Sequence, residues 1–125
     1  GVSAHNNAKL LSEIVNEFDV PNVVLSDPIN AKSYYGKNEL HVGRSSLIEL
    51  AKIKCDVVIS GLVGISGLYP AYAAISAGNN LAIANKETLV SAGQIFMKKR
   101  SYCSQMVLHS VILFTVVMFT MQVQL

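Results

Sequence analysis

The sequence predicts an α/β domain built on a doubly wound, mainly parallel sheet. Three observations predict it. Short apolar runs long enough for buried strands alternate with segments of helical period along the chain, the pattern of a parallel sheet with crossover helices. Residues 55–92 condense that pattern into one strand–turn–helix–strand–helix unit. The two polar interruptions of that unit, at 61–67 and 85–88, fall where strands end, and open parallel sheets bind ligands at the carboxyl ends of their strands.

The elements follow in order. Gly1-Val2-Ser3-Ala4 reads as the end of a strand with nothing before it, so the expectation is a partial domain that lacks its first strand. Asn6 or Asn7 can cap the next helix. That helix is expected to bury Leu10, Leu11, Ile14, Val15 and Phe18, with Lys9, Ser12, Glu13, Asn16 and Glu17 on the other face. Pro21 breaks it, and 22–25 reads as a short strand. Ser26-Asp27-Pro28 is turn chemistry. A short helix ending at Gly36 is expected within 29–38, then a small strand at Leu40-His41-Val42. His41 and Arg44 read as surface residues. Gly43 to Ser46 opens a helix with Leu47, Ile48, Leu50, Ala51 and Ile53 as its apolar set.

The central unit starts with Val57-Val58-Ile59-Ser60, expected as a buried strand, with Cys55 as a small core residue before it. Gly61, Gly64 and Gly67 permit a tight bend and close approach of a ligand, but from these residues alone plain strand-to-helix packing is the better explanation. Residues 68–77 have helical spacing, Gly78-Asn79-Asn80 stops them, and 81–84 reads as a second buried strand. Asn85-Lys86-Glu87-Thr88 ends that strand before a further helix. Asn85 and Glu87 also suit a helix start, as a cap and a dipole partner. Lys86 fits that reading less well, because a cation in the first turn opposes the helix dipole.

Composition excludes several classes. The formal charge is +2, but Lys98, Lys99 and Arg100 account for the excess. The 97 residues before them carry seven basic and eight acidic side chains, so no basic face for nucleic acid is indicated. Two cysteines and three scattered histidines give neither a disulfide framework nor a metal-ligand pattern, and a reducing, cytoplasm-like compartment is the default. Residues 101–125 carry no charged side chain. They read as a membrane span, as a buried strand pair, or as a continuation foreign to the domain, as when a reading frame slips. The clean apolar run, 110–121, falls short of the roughly 20 residues a span needs, which disfavours the membrane. The expected organisation is a partial domain at 1–97 and an atypical apolar tail at 98–125.

Two strings carry a family resemblance: Gly61-Leu62-Val63-Gly64-Ile65-Ser66-Gly67-Leu68-Tyr69-Pro70 and Ala84-Asn85-Lys86-Glu87-Thr88-Leu89-Val90. They resemble the segments A-I-V-G-x-x-G-L-x-P and A-N-K-E-S/T-L-V of the 1-deoxy-D-xylulose 5-phosphate reductoisomerase family. The first 28 residues look like that family's second strand, cofactor turn, helix and third strand. The resemblance implies a Rossmann-like NADPH-binding domain without its first strand and phosphate-binding glycine loop. It implies an oxidoreductase of isoprenoid precursor synthesis that rearranges a phosphorylated ketose and reduces the product with hydride, aided by Mg or Mn. It further implies a homodimeric intact enzyme in a bacterial cytoplasm or a plastid-type compartment.

By the same resemblance Asn85 and Glu87 contact the cofactor, Lys86 the substrate, and Gly61 walls the nicotinamide side. His5-Asn6-Asn7 matches the family's Gly-Lys/Arg-Asn turn that reads the adenosine ribose and its 2′-phosphate. Only Asn7 matches that turn fully; His5 replaces the glycine and Asn6 the cation. The turn lacks the acid that NAD-preferring turns use on the ribose hydroxyls, which favours the phosphorylated cofactor. The family's metal carboxylates lie in a D-S-E motif after this domain, and this sequence has no acidic residue after Glu87. The metal site is therefore not expected in this chain, and the chain alone is expected to be inactive. Another nucleotide-binding dehydrogenase, or a small tail-anchored membrane protein, are the competing readings.

Overall fold

A computed structural model describes residues 1–84. These residues fall into two compact units, Gly1–Leu50 and the part that begins at Ala51. Among the described residues every strand pairing is parallel.

In the first unit the strands β1 (Val2–Ala4), β2 (Val23–Leu25) and β3 (Leu40–Val42) form a sheet in that order. Helix α1 (Ala8–Phe18) crosses over between β1 and β2. Leu11 and Val15 of α1 meet Ala4, Val23 and Leu25 in the core, with Leu10, Ile14, Tyr34 and Leu40 packed around them. Full burial of each such aliphatic side chain contributes about 1.5–3 kcal/mol, which is why the helix face is fixed by Leu11 and Val15.

The expected face needs two corrections. Phe18 is 55% exposed, because the helix ends there and Asp19 turns left-handed at φ 52°, before the change of course that Pro21 would impose. Ser12, expected outside, is fully buried. Its hydroxyl donates to the Ala8 carbonyl (2.7 Å) and accepts from the Tyr35 amide (2.9 Å), so its burial is satisfied.

That second bond belongs to a strap along α1. The Lys37 amide donates to Asn16 Oδ1 (2.8 Å), Asn38 Nδ2 donates to the Val20 carbonyl (2.7 Å), and Lys37 Nζ pairs with Asp19 at 2.8 Å. The helix expected within 29–38 is instead a single 3₁₀ stretch, Pro28–Ser33. It ends at Tyr34 rather than Gly36, because the chain from Tyr34 onward is extended and committed to the strap.

Helix α2 (Arg44–Lys52) follows β3 and buries Leu47 and Ala51. His41 and Arg44 are exposed. Ile53 lies past the helix end and is 45% exposed, outside the apolar set proposed for it.

The described part of the second unit is one βαβ turn. Strand β4 (Val57–Ser60) and strand β5 (Asn80–Ile83) pair in parallel, joined by a 3₁₀ turn (Gly64–Gly67) and helix α3 (Leu68–Ser76). Ala71, Ala73 and Ala74 of α3 are buried, as are Leu81 and Ala82 of β5. The expected burial of β4 is corrected: Val57 is 49% and Ile59 41% exposed. Alternate residues of a strand point to opposite faces, and α3 packs on only one of them. Cys55 is likewise exposed, since it lies in the connection before β4 rather than under it.

Asn79 holds this unit closed. Its side chain is fully buried; Nδ2 donates to the carbonyls of Ala51 (3.1 Å) and Ile53 (2.9 Å), and Oδ1 accepts from the Cys55 amide (3.2 Å). The turn that delivers it uses Gly78 at φ 78°, a conformation suited to glycine. Among the described residues no helix is long and apolar enough to cross a membrane. The tail lies outside the described residues.

Candidate functional site

The carboxyl ends of β1 and β2 carry the first group of expected site residues. Parallel pairing sets Ala4 beside Leu25, so the residues that follow each strand emerge side by side. The Ser26 amide donates to the Ala4 carbonyl (3.0 Å) and the Asp27 amide to the His5 carbonyl (2.8 Å). His5 Nδ1 lies 3.0 Å from Ser26 Oγ. Asn30 Nδ2 donates to the Asn6 carbonyl at 3.0 Å. The turn His5-Asn6-Asn7 is thus braced by a loop more than 20 residues away in sequence, with His5 and Asn6 exposed and Asn7 half-buried.

Of the two candidate caps, Asn7 is the one used: its Oδ1 accepts from the Leu10 amide at 3.1 Å. Capping consumes the acceptor and leaves the Asn7 amide nitrogen as a donor. Asp27, the nearest acid in this loop, turns its carboxylate to the Ile29 amide (3.0 Å). The turn therefore presents neutral donors and an imidazole. Ser26 and Asn30 escaped the sequence reading. The signal for Ser26 was its place after a strand, in a triplet that reads as an ordinary turn.

The second group lies at the carboxyl ends of β4 and β5. Ser60 is in register with Ile83, and the Ala84 amide donates to the Ser60 carbonyl at 3.0 Å. The residue before Gly61 is therefore bonded to the residue before Asn85. Asn85, Lys86 and Glu87 themselves lie outside the described residues. A side chain at Gly61 or Gly64 would meet nothing within 4 Å, and Gly64 takes φ 70°. Ser66 Oγ pins the bend by donating to the Val63 carbonyl (2.8 Å). The bend is thus a wall of backbone with open space beside it. Next to it sits Ser60, whose hydroxyl is buried and has no hydrogen-bond partner among the described residues.

Cofactors can be weighed against these residues. The glycine bend leaves open space beside backbone, and, in the other unit, the turn His5-Asn6-Asn7 carries no acidic side chain. Among the described residues no three His, Cys, Asp or Glu side chains come together.

The fold and its two polar rims define a Rossmann-like α/β domain, a class whose ligands sit at strand carboxyl ends. Sequence comparison narrows the class. A profile of the 1-deoxy-D-xylulose 5-phosphate reductoisomerase family matches residues 1–93, and the chain belongs to that family. The enzyme of that name from Thermoanaerobacter sp. (strain X514) is 41% identical over 101 residues, covering 78% of this chain and 26% of the relative. The one from Gloeobacter violaceus is 35% identical over 107 residues, 79% of this chain and 27% of the relative. The reductoisomerase from Zymomonas mobilis in complex with NADPH superposes with a TM-score of 0.71 at 29% identity, over 79% of this chain and 27% of that one. A DOX-P reductoisomerase in complex with NADPH, fosmidomycin and magnesium gives 0.67 at 26% identity, over 79% and 26%. The chain spans about a quarter of the length of the curated relatives it matches.

Proposed function

We propose that this chain is the cofactor-binding part of an NADPH-dependent reductoisomerase. The enzyme converts 1-deoxy-D-xylulose 5-phosphate to 2-C-methyl-D-erythritol 4-phosphate in non-mevalonate isoprenoid precursor synthesis. One observation carries the reading: the glycine bend and the Ala-Asn-Lys-Glu-Thr-Leu-Val string follow adjacent parallel strands, bonded to each other at Ser60 and Ala84, in a chain of this family. The NADPH complex of the Zymomonas relative supports the choice of cofactor.

In this reading His5, Asn6 and Asn7 read the adenosine ribose and its 2′-phosphate. Gly61 lets the nicotinamide side approach backbone. Asn85 and Glu87 hold the cofactor, and Lys86 binds the phosphorylated ketose as a point charge. When bound, reduced nicotinamide supplies hydride; the chain's own residues orient it and keep its face accessible. Mg or Mn ligands come from sequence outside this chain. The intact enzyme is a homodimer of a bacterial cytoplasm or plastid-type compartment, and the apolar tail 98–125 is not part of its site.

Titration of the folded 125-residue chain with NADPH, followed by nucleotide fluorescence, tests the reading. Saturable enhancement is expected, and a folded chain that leaves the signal unchanged overturns it. In an enzyme carrying this segment, Lys86→Ala is expected to lower kcat with the ketose phosphate far more than NADPH affinity.

A further inference from the structure

We propose that Ser60 is a cofactor-binding residue, its hydroxyl reserved for a hydroxyl or amide group of the nicotinamide nucleoside half of the dinucleotide. The inference rests on the NADPH reading above and adds to it a residue that neither the motifs nor the turn chemistry singled out.

The observation is an unmatched polar atom. Ser60 is 6% exposed, and its Oγ is the one buried side-chain polar atom without a hydrogen-bond partner among the described residues. Buried hydroxyls are nearly always partnered, and one left alone destabilises the fold that holds it. Other serines of this chain solve the problem locally. Ser12, Ser46, Ser66 and Ser76 each donate to a backbone carbonyl three or four residues earlier. Ser60 ends a strand, where no such carbonyl is in reach, and its own carbonyl already accepts from Ala84. Alanine, which only removes the oxygen, would avoid the penalty.

Position says what the hydroxyl is for. Ser60 is the last residue of β4, at the carboxyl edge where parallel sheets take ligands. The next residue, Gly61, has no side chain and open space beside it. The rim from 57 to 67 carries no charged residue, which suits a neutral polar group rather than a phosphate. A serine hydroxyl donates one bond and accepts others, matching a ribose hydroxyl or a carboxamide.

Ser60→Ala and Ser60→Thr in the full chain test this with three measurements: thermal midpoint without ligand, affinity for NADPH, and affinity for 2′,5′-ADP, which lacks the nicotinamide nucleoside. Ser60→Ala is expected to raise the ligand-free midpoint, weaken NADPH about tenfold (~1.4 kcal/mol) and leave 2′,5′-ADP unchanged. Ser60→Thr keeps a hydroxyl and is expected to restore NADPH affinity. A lower ligand-free midpoint for Ser60→Ala, or loss of folding, means that the hydroxyl serves the fold and overturns the inference. Unchanged NADPH affinity, or equal weakening of both nucleotides, overturns it while the NADPH reading stands. A folded wild-type chain that binds neither nucleotide overturns both.

Discussion

Replacing Asn79 with alanine should cost this chain more stability than any other single polar truncation in the second unit. The side chain makes three hydrogen bonds to backbone, two as donor to Ala51 and Ile53 and one as acceptor from Cys55. A typical hydrogen bond contributes about 1 kcal/mol net, and a buried group left unsatisfied costs about 1–3 kcal/mol. The bond to Ala51 is buried while the other two are part-buried, so water can rescue two of the three groups. The expected loss is about 2–4 kcal/mol, set against a stability of about 5–15 kcal/mol for domains in general. Urea unfolding followed by circular dichroism measures it as a lower midpoint at an unchanged slope. Asn79→Asp sharpens the test. It keeps an acceptor for Cys55 but turns a carboxylate oxygen toward two carbonyl oxygens, so above neutral pH it should be at least as damaging. A loss below about 1 kcal/mol for Asn79→Ala, or a well-tolerated Asn79→Asp, would refute the donor assignment.

Further outcomes follow from other positions. Asn7→Ala should lose about 1 kcal/mol with the helix cap. Asn7→Asp keeps the cap and favours the helix dipole, yet sets an acid at the turn proposed to read the cofactor, so stability should hold while NADPH affinity falls; thermal melts and nucleotide titration separate the two. Gly64→Ala should cost about 1–2 kcal/mol, since φ 70° is left-handed, whereas Gly61→Ala, in open space without positive φ, should leave the melting midpoint in place. Lys37, by hydrogen bond and charge, holds the Asp19 carboxyl below its ordinary 3.8. A depressed carboxyl stabilises the fold above that value and loses the contribution as pH falls through the folded value. Asp19→Asn should therefore flatten the stability profile on the acid side of pH 3.8, read by unfolding at stepped pH.

The pattern of α1 was legible because Leu11 and Val15 recur at helical spacing and the sheet takes both. Phe18 obeyed the same spacing but is the last residue of the helix, where period carries little information about burial. The strap at 34–38 was illegible for a different reason. Its bonds join backbone amides to Ser12 and Asn16 across more than 20 residues, and nothing local marks a side chain as the partner of a distant amide. At the site the glycine bend was visible by composition and family likeness. Ser60 was not, since a serine closing an apolar run looks like any strand end until its missing partner is seen.

The polar side chains of this chain divide by what they bind. Asn7, Asp27 and Asn79 spend their oxygens or amide protons on backbone that would otherwise be orphaned at helix starts and turns, and each fixes a piece of the fold. His5, Asn6 and Ser60 lie at the carboxyl ends of strands and satisfy no backbone group with their side chains among the described hydrogen bonds. Backbone already meets the structural demand at those ends, through Ser26 to Ala4 and Ala84 to Ser60. A fold whose strand ends are closed by main-chain bonds alone can leave side-chain donors there uncommitted. At Ser60 binding then competes with no internal partner among the described residues, and the stability given up there becomes available to whatever occupies the rim.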